Sequence, residues 1–164
     1  MKDFLVLVAA SIPVSGALLV QIYESKAARR QAYEEKRLSS LLEVHLAVEE
    51  AVGRWFRWTK ESLDNEVSQS TRDRAREEAE TATHRAWYST RTFEMFFGAN
   101  QRMKELAGNM REEVERCKSA AEVQVENFKK NPTLAFDPAP FSSNKAVNLD
   151  EVATLGRRIL GFPD

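Results

Sequence analysis

Two pairs of glutamate and histidine are the first residues of this chain whose types and spacing suggest chemistry. Glu80 and His84 are four residues apart, as are His45 and Glu49, so each pair shares one face of a helix. A di-metal centre in a helical bundle needs Glu-x-x-His motifs on two helices and two further inward glutamates. The sequence contains no Glu-x-x-His motif. We therefore expect solvated or structural roles for both pairs, and neither a metal nor a cofactor.

A group of arginine and aromatic residues is the second candidate for a functional site. We call it the aromatic–arginine patch; it comprises Arg54, Trp55, Arg57, Trp58, Trp87 and Tyr88. Core packing with cation–π contacts is its simplest interpretation. Trp, Tyr and Arg also dominate binding hot spots, so this patch is our candidate for a partner-binding surface. Nucleic acid is not expected, because a net charge of −1 gives no basic surface.

Neither the single cysteine nor the scattered glycines indicate catalysis. Cys117 falls on an apolar helical stripe and is expected to be a small buried residue. One cysteine cannot form an internal disulfide, which is typical of a reducing compartment. No serine–histidine–aspartate grouping and no glycine-rich phosphate loop occur. We therefore do not expect an enzyme.

The N-terminal segment predicts that the chain is anchored in a membrane. Residues 4–23 carry no charged side chain and, as a helix, span roughly 30 Å, which matches the hydrocarbon core of a bilayer. We therefore predict a transmembrane anchor over residues 1–23 that contacts lipid through residues 4–23. A cleaved signal peptide and a buried core helix are the alternatives. The apolar run is too long for a signal peptide, and it ends in a poor cleavage site.

Basic residues beside the anchor predict its orientation. Five follow the apolar run and one precedes it; the five are Lys26, Arg29, Arg30, Lys36 and Arg37. The positive-inside rule then places the N-terminus outside and the rest in the cytoplasm. Arginine outnumbers lysine, which favours a bacterial inner membrane.

Apolar periodicity after the anchor predicts an all-α fold. The predicted architecture is an N-terminal single transmembrane helix that continues into a long helix of a three- to four-helix antiparallel bundle or coiled-coil domain. Its predicted segments are a charged stalk at 24–37, the bundle at 38–130, a Pro-containing extended segment at 131–147 and a short helix at 148–164. Helices are expected to end near residues 63, 97 and 129, with Ser70 or Thr71 capping the second.

One stripe on the first helix is the candidate for self-association. It consists of Leu38, Leu41, His45, Val48 and Val52, which step by three and four residues. The same stripe continues through Trp55 and Thr59, so part of it must also serve the bundle. We expect a homo-oligomer, with an intramolecular role as the alternative.

These features predict a non-enzymatic, single-pass membrane protein whose cytoplasmic helical domain acts as a protein-interaction or scaffold subunit. An alternative is a small membrane-active effector, like a holin or a toxin, that oligomerises in the bilayer. Only Ser11, Ser15 and Gln21 are polar within the apolar run, which disfavours a polar pore. An anchored spacer or sensor subunit of a larger complex is equally compatible with the sequence.

Overall fold

The computed structural model describes residues 2–142 together with Thr154 and Arg158, and side chains from residue 25 onward. In this part of the chain there are three α-helices and one 3₁₀ turn, and no strand. The helices are α1 (Lys2–Leu63), α2 (Gln69–Phe97) and α3 (Gln101–Lys130), and the turn is Ala139–Phe141. The prediction of an all-helical protein is therefore confirmed.

The chain divides into two compact units, of which the first is Met1–Lys36. Its backbone is helical from Lys2 onward. Side chains of residues 25–36 are exposed apart from the half-buried Glu34. Gln31 Nε2 donates to Glu35 Oε1 at 3.1 Å, one turn further along. The side chains of the predicted anchor, residues 1–23, lie outside the described part. Among the described residues, no helix is long and apolar enough to cross a membrane.

The second unit, Arg37–Asp164, contains the bundle. Pairs between α1 and α2 run in opposite directions: Glu50 meets Arg85, Arg54 meets Glu78, and the Arg37 guanidinium lies over the Phe97 ring. Pairs between α2 and α3 reverse in the same way, as Glu94–Arg111 and Arg76–Glu122 show. The bundle is therefore antiparallel at both junctions, as the sequence predicts.

The buried stripes of α2 and α3 agree with the apolar periodicity. Ala75, Ala79, Ala82 and Ala86 are buried at the start of α2, and Phe93 and Phe97 stack at its end with ring centroids 4.8 Å apart. The alanines allow close helix packing, whereas the aromatic rings fill a wider core. Met103, Leu106, Met110, Val114 and Cys117 on α3 are at most 2% exposed. Burial of each large apolar side chain contributes about 1.5–3 kcal/mol.

Two local predictions about the helix ends differ in their outcome. Ser68 caps α2, because its side chain accepts the backbone N–H of Thr71 at 3.2 Å; the predicted caps Ser70 and Thr71 lie within the first turn instead. Breaks at Gly98–Asn100 and at Asn131 occur as predicted, and Asn100 caps α3 through Met103 N.

The segment after α3 returns along the bundle. Gln124 exchanges two hydrogen bonds with the Asp137 backbone, and the Cys117 thiol donates to Pro140 O, so the segment runs antiparallel to α3. The ring centroids of Phe136 and Phe141 lie 5.1 and 5.7 Å from that of Phe56, so both rings attach the segment to α1. The segment is not wholly extended, since Ala139–Phe141 forms a 3₁₀ turn. Beyond residue 142, the predicted last helix lies outside the described residues except Thr154 and Arg158, which are helical and exposed.

Candidate functional site

The two α1 tryptophans of the aromatic–arginine patch belong to the core rather than to a surface. Trp55 is fully buried and its Nε1–H donates to Thr83 Oγ1 on α2 at 2.8 Å. Trp58 is 6% exposed and meets Trp55 edge to face, with ring centroids 5.4 Å apart. Lys118 and Arg76 lie over the Trp55 and Trp58 rings. These two tryptophans therefore fill the bundle, with cation–π contacts at its edges.

The α1 arginines of the patch are engaged by carboxylates of the same chain. Glu78 Oε2 lies 2.6 Å from Arg54 Nη1 and 3.5 Å from Arg57 Nη1. Arg57 Nε also donates to Glu61 Oε1 at 2.7 Å. That hydrogen bond and the Glu61 charge raise the pKa of Arg57 above its usual value. Both guanidinium groups therefore hold α1 against α2, and binding a partner's anion would require breaking these pairs.

The α2 half of the patch is exposed. Trp87 is 40% exposed and Tyr88 is 74% exposed. Met95, seven residues after Tyr88 and therefore on the same helix face, is 82% exposed. Arg91 lies between them and makes no ion pair with any described residue. We call these four residues the α2 outer face. Sequence reasoning missed Met95, although its position off the buried Ala–Phe stripe of α2 was a usable signal.

Most of the predicted self-association stripe packs into the core of its own bundle. Leu41, Val48 and Val52 are at most 6% exposed and belong to the bundle core. Leu38 is 38% exposed, and His45 is half-buried with Nε2 3.5 Å from Glu49 Oε1. The core face of α1 is thus rotated from the predicted stripe and includes Val44, Ala47, Ala51, Trp58 and Ser62. The apolar residues left exposed on this stretch of α1 include Leu42 and Leu46, at 58% and 63%.

The Glu80–His84 pair lies in an open cavity between α2 and α3. The cavity has a volume of about 410 Å³, and Trp87, Glu115 and Lys118 also line it. Among the described residues, no three His, Cys, Asp or Glu side chains are grouped in a way that could hold a metal ion.

Cys117 forms part of a buried polar contact that fastens the returning segment. Its thiol donates to Pro140 O at 3.4 Å and lies 3.9 Å from Glu113 Oε1. Glu113 is only 2% exposed and receives two hydrogen bonds from Arg116, at 2.9 and 2.5 Å. Burial, with the Glu113 charge adding to it, raises the pKa of the Cys117 thiol to about 11. The thiol is therefore protonated at neutral pH and unsuited to nucleophilic catalysis.

Comparison of the chain with models of known protein families, with curated proteins and with solved structures finds no match.

Proposed function

We propose that this chain is a single-pass membrane protein whose cytoplasmic helical bundle binds protein partners and has no enzymatic activity of its own. The uncharged run at residues 4–23 supports the anchor, since its length suits a bilayer. The five basic residues that come after it support the cytoplasmic orientation. In this arrangement the anchor fixes the location, and the bundle supplies the binding surfaces.

The observation that carries the proposal is the exposure of the α2 outer face. The side chains of Tyr88 and Met95 are 74% and 82% exposed, so they leave apolar surface in contact with solvent. The opposite face of the same helix is packed in the bundle. Arg91 beside them has no carboxylate to neutralise it among the described residues. Aromatic residues, Met and Arg are enriched at protein interfaces relative to the rest of a protein surface. A partner that presents apolar and acidic side chains matches this face.

Self-association is part of the same proposal, and its surface is α1. Leu38, Leu42 and Leu46 are exposed and recur every four residues along α1. Confinement to a membrane raises the effective concentration of copies, so even a small apolar contact can be populated. Leu41, Val48 and Val52 are excluded from this surface because the folded bundle already buries them.

A photocrosslinking experiment on the full chain in its membrane tests the partner surface. We place p-benzoylphenylalanine at Tyr88, and at Val123 as the control, because Val123 is an apolar residue of α3 that is 57% exposed. We expect a discrete adduct from position 88 that is absent from position 123 and is weakened by Met95→Glu. Identical adducts from both positions, or none from position 88, would contradict the proposal.

The holin- or toxin-like alternative makes a different prediction for the same protein. An effector that assembles pores would release dye from vesicles into which the full chain has been reconstituted. A scaffold or partner-binding subunit would leave the vesicles intact. Release that depends on residues 1–23 and not on Tyr88 would favour the alternative.

A further inference from the structure

A cavity lies at the end of the bundle where α1 ends, α2 begins and α3 ends. Its volume is about 300 Å³, which is at the lower limit for small-molecule sites. Trp58, Ser62 and Val125 line it and are buried, while Phe128 is half-buried beside them. Apolar and polar side chains thus line the cavity together. The cavity is separate from the α2 outer face, so a ligand here would bind whether or not that face binds a partner.

Two hydrogen-bond donors on residues that line this cavity have no partner among the described residues. Trp58 and Ser62 are 6% and 7% exposed, yet among the described residues neither the indole N–H nor the hydroxyl has a hydrogen-bond partner. Neither atom is among the polar atoms that protein covers completely, so each keeps some contact with solvent. The neighbouring Trp55 differs, because its N–H is paired with Thr83. Both donors are therefore open to an acceptor, and an indole N–H can only donate.

Among the charged residues around the cavity, one cation is left to pair with an anion. Arg72, Arg76 and Lys129 line it, against one carboxylate, Asp73, which accepts a hydrogen bond from Gln69. Arg76 and Lys129 are already paired with glutamates.

Arg72 forms no such pair with any residue that the structure describes. Its Nη2 donates to the Asp64 backbone carbonyl at 2.6 Å, but its Nε is covered and unpaired, and no described carboxylate pairs with it. Arg72 is thus a cation at the cavity whose charge is not neutralised by any described side chain.

We propose that this cavity binds a small molecule that carries an oxyanion group, a carboxylate or a phosphate, attached to a flat apolar body. The oxyanion accepts hydrogen bonds from Trp58 Nε1 and Ser62 Oγ and pairs with Arg72. A carboxylate or phosphate oxygen supplies the acceptors that both buried donors lack, and charge-assisted hydrogen bonds are the stronger kind. The apolar body packs against Val125 and Phe128.

Fluorine NMR on the full chain, labelled with 5-fluorotryptophan in a non-ionic detergent, tests this site. The chain has three tryptophans, so substitution of Trp87 and Trp55 by Phe assigns the spectrum. Benzoate is the first probe, benzamide is its uncharged control, and inorganic phosphate is the second anion. We expect benzoate to shift the Trp58 resonance saturably, to leave Trp87 unchanged, and to bind more tightly than benzamide.

Two variants then separate the site from general salt effects. Ser62→Ala and Arg72→Gln each remove one donor to the anion and should raise the dissociation constant about tenfold. Arg85→Gln is the matched control, because it removes an exposed arginine of α2 that lies thirteen residues beyond Arg72. If Arg72→Gln loses its helical circular dichroism, Ser62→Ala alone carries this test.

The two anions distinguish the sources of the ligand chemistry. Competition between phosphate and benzoate supports a general oxyanion site, and binding of benzoate alone supports a carboxylate site. If neither benzoate nor phosphate shifts the Trp58 resonance saturably, the proposal is overturned. A shift of equal size with benzamide, or one that folded Ser62→Ala and Arg72→Gln proteins retain unchanged, would also overturn it.

Discussion

Trp55 donates its indole N–H to Thr83 Oγ1 at 2.8 Å, a fully buried hydrogen bond that joins α1 to α2. Thr83 in turn donates its hydroxyl hydrogen to Ala79 O at 2.9 Å, so the hydroxyl both accepts and donates. The largest side chain of the core is therefore fixed in position by a polar contact. That contact specifies which residues of α1 and α2 lie opposite each other, because a shift along either helix would bury an unpaired N–H.

Thr83→Val should lower the free energy of unfolding by about 1–3 kcal/mol, because it keeps the side-chain volume but leaves the Trp55 N–H buried and unpaired. Urea unfolding followed by near-ultraviolet circular dichroism measures the change. Thr81→Val is the matched control, since Thr81 is exposed on the same helix. Equal stability of the two variants would show that the hydrogen bond adds nothing.

Cys117 should react slowly with thiol reagents in the folded protein. Its pKa of about 11, against an ordinary value of 9.0, leaves about a hundredfold less thiolate near pH 8. Because the pKa is raised on folding, the stabilisation from the neutral thiol is complete below pH 9 and is lost as the pH rises towards 11. Reaction with Ellman's reagent, with and without urea, measures the first effect. A folded protein that reacts as fast as the unfolded one would contradict it.

Phe141→Ala should release the returning segment from the bundle. Phe141 is 7% exposed and packs on Phe56 and Phe136, so its truncation should cost about 3 kcal/mol. We expect faster proteolysis between residues 131 and 142, measured by mass spectrometry of a limited digest. Leu134→Ala is the control, since Leu134 is 45% exposed in the same segment. Equal cleavage rates in both variants would be the contrary result.

The full chain should stay in the membrane pellet after carbonate extraction, and a chain that begins at residue 24 should be released. The reason is the uncharged run at residues 4–23, whose apolar side chains favour the bilayer over water. Recovery of the full chain in the supernatant would contradict the predicted anchor.

Phosphatase and fluorescent-protein fusions at the C-terminus report on which side of the membrane the C-terminus lies. Replacement of the five flanking basic residues by Gln should weaken the preference for the cytoplasm.

Leu42→Glu with Leu46→Glu should abolish self-association while preserving the fold, because both side chains are exposed. Leu41→Glu should instead unfold the bundle, since Leu41 is 6% exposed and a buried unpaired carboxylate is costly. Light scattering of the detergent-solubilised protein gives the oligomeric mass, and circular dichroism reports the fold. An oligomer that persists in the double variant would exclude this face of α1 as the interface.

The sequence by itself determined the helical class, the helix ends near residues 63, 97 and 129, and the buried stripes of α2 and α3. These features come from local signals: apolar residues recur every three to four positions, and Gly98, Asn100 and Asn131 interrupt them. The anchor and its orientation also come from the sequence, as predictions based on a continuous uncharged run and its basic flank.

Only the tertiary structure decided which apolar residues of α1 face inward and which members of the aromatic–arginine patch stay exposed. The reason is that α1 carries apolar residues around much of its circumference, so periodicity alone permits several core faces. Contacts with α2 and α3 select the face with Val44 and Trp58, and leave Leu42 and Leu46 in solvent. The cavity lined by Trp58 could not be predicted from the sequence, because its residues come from three helix ends that only folding brings together.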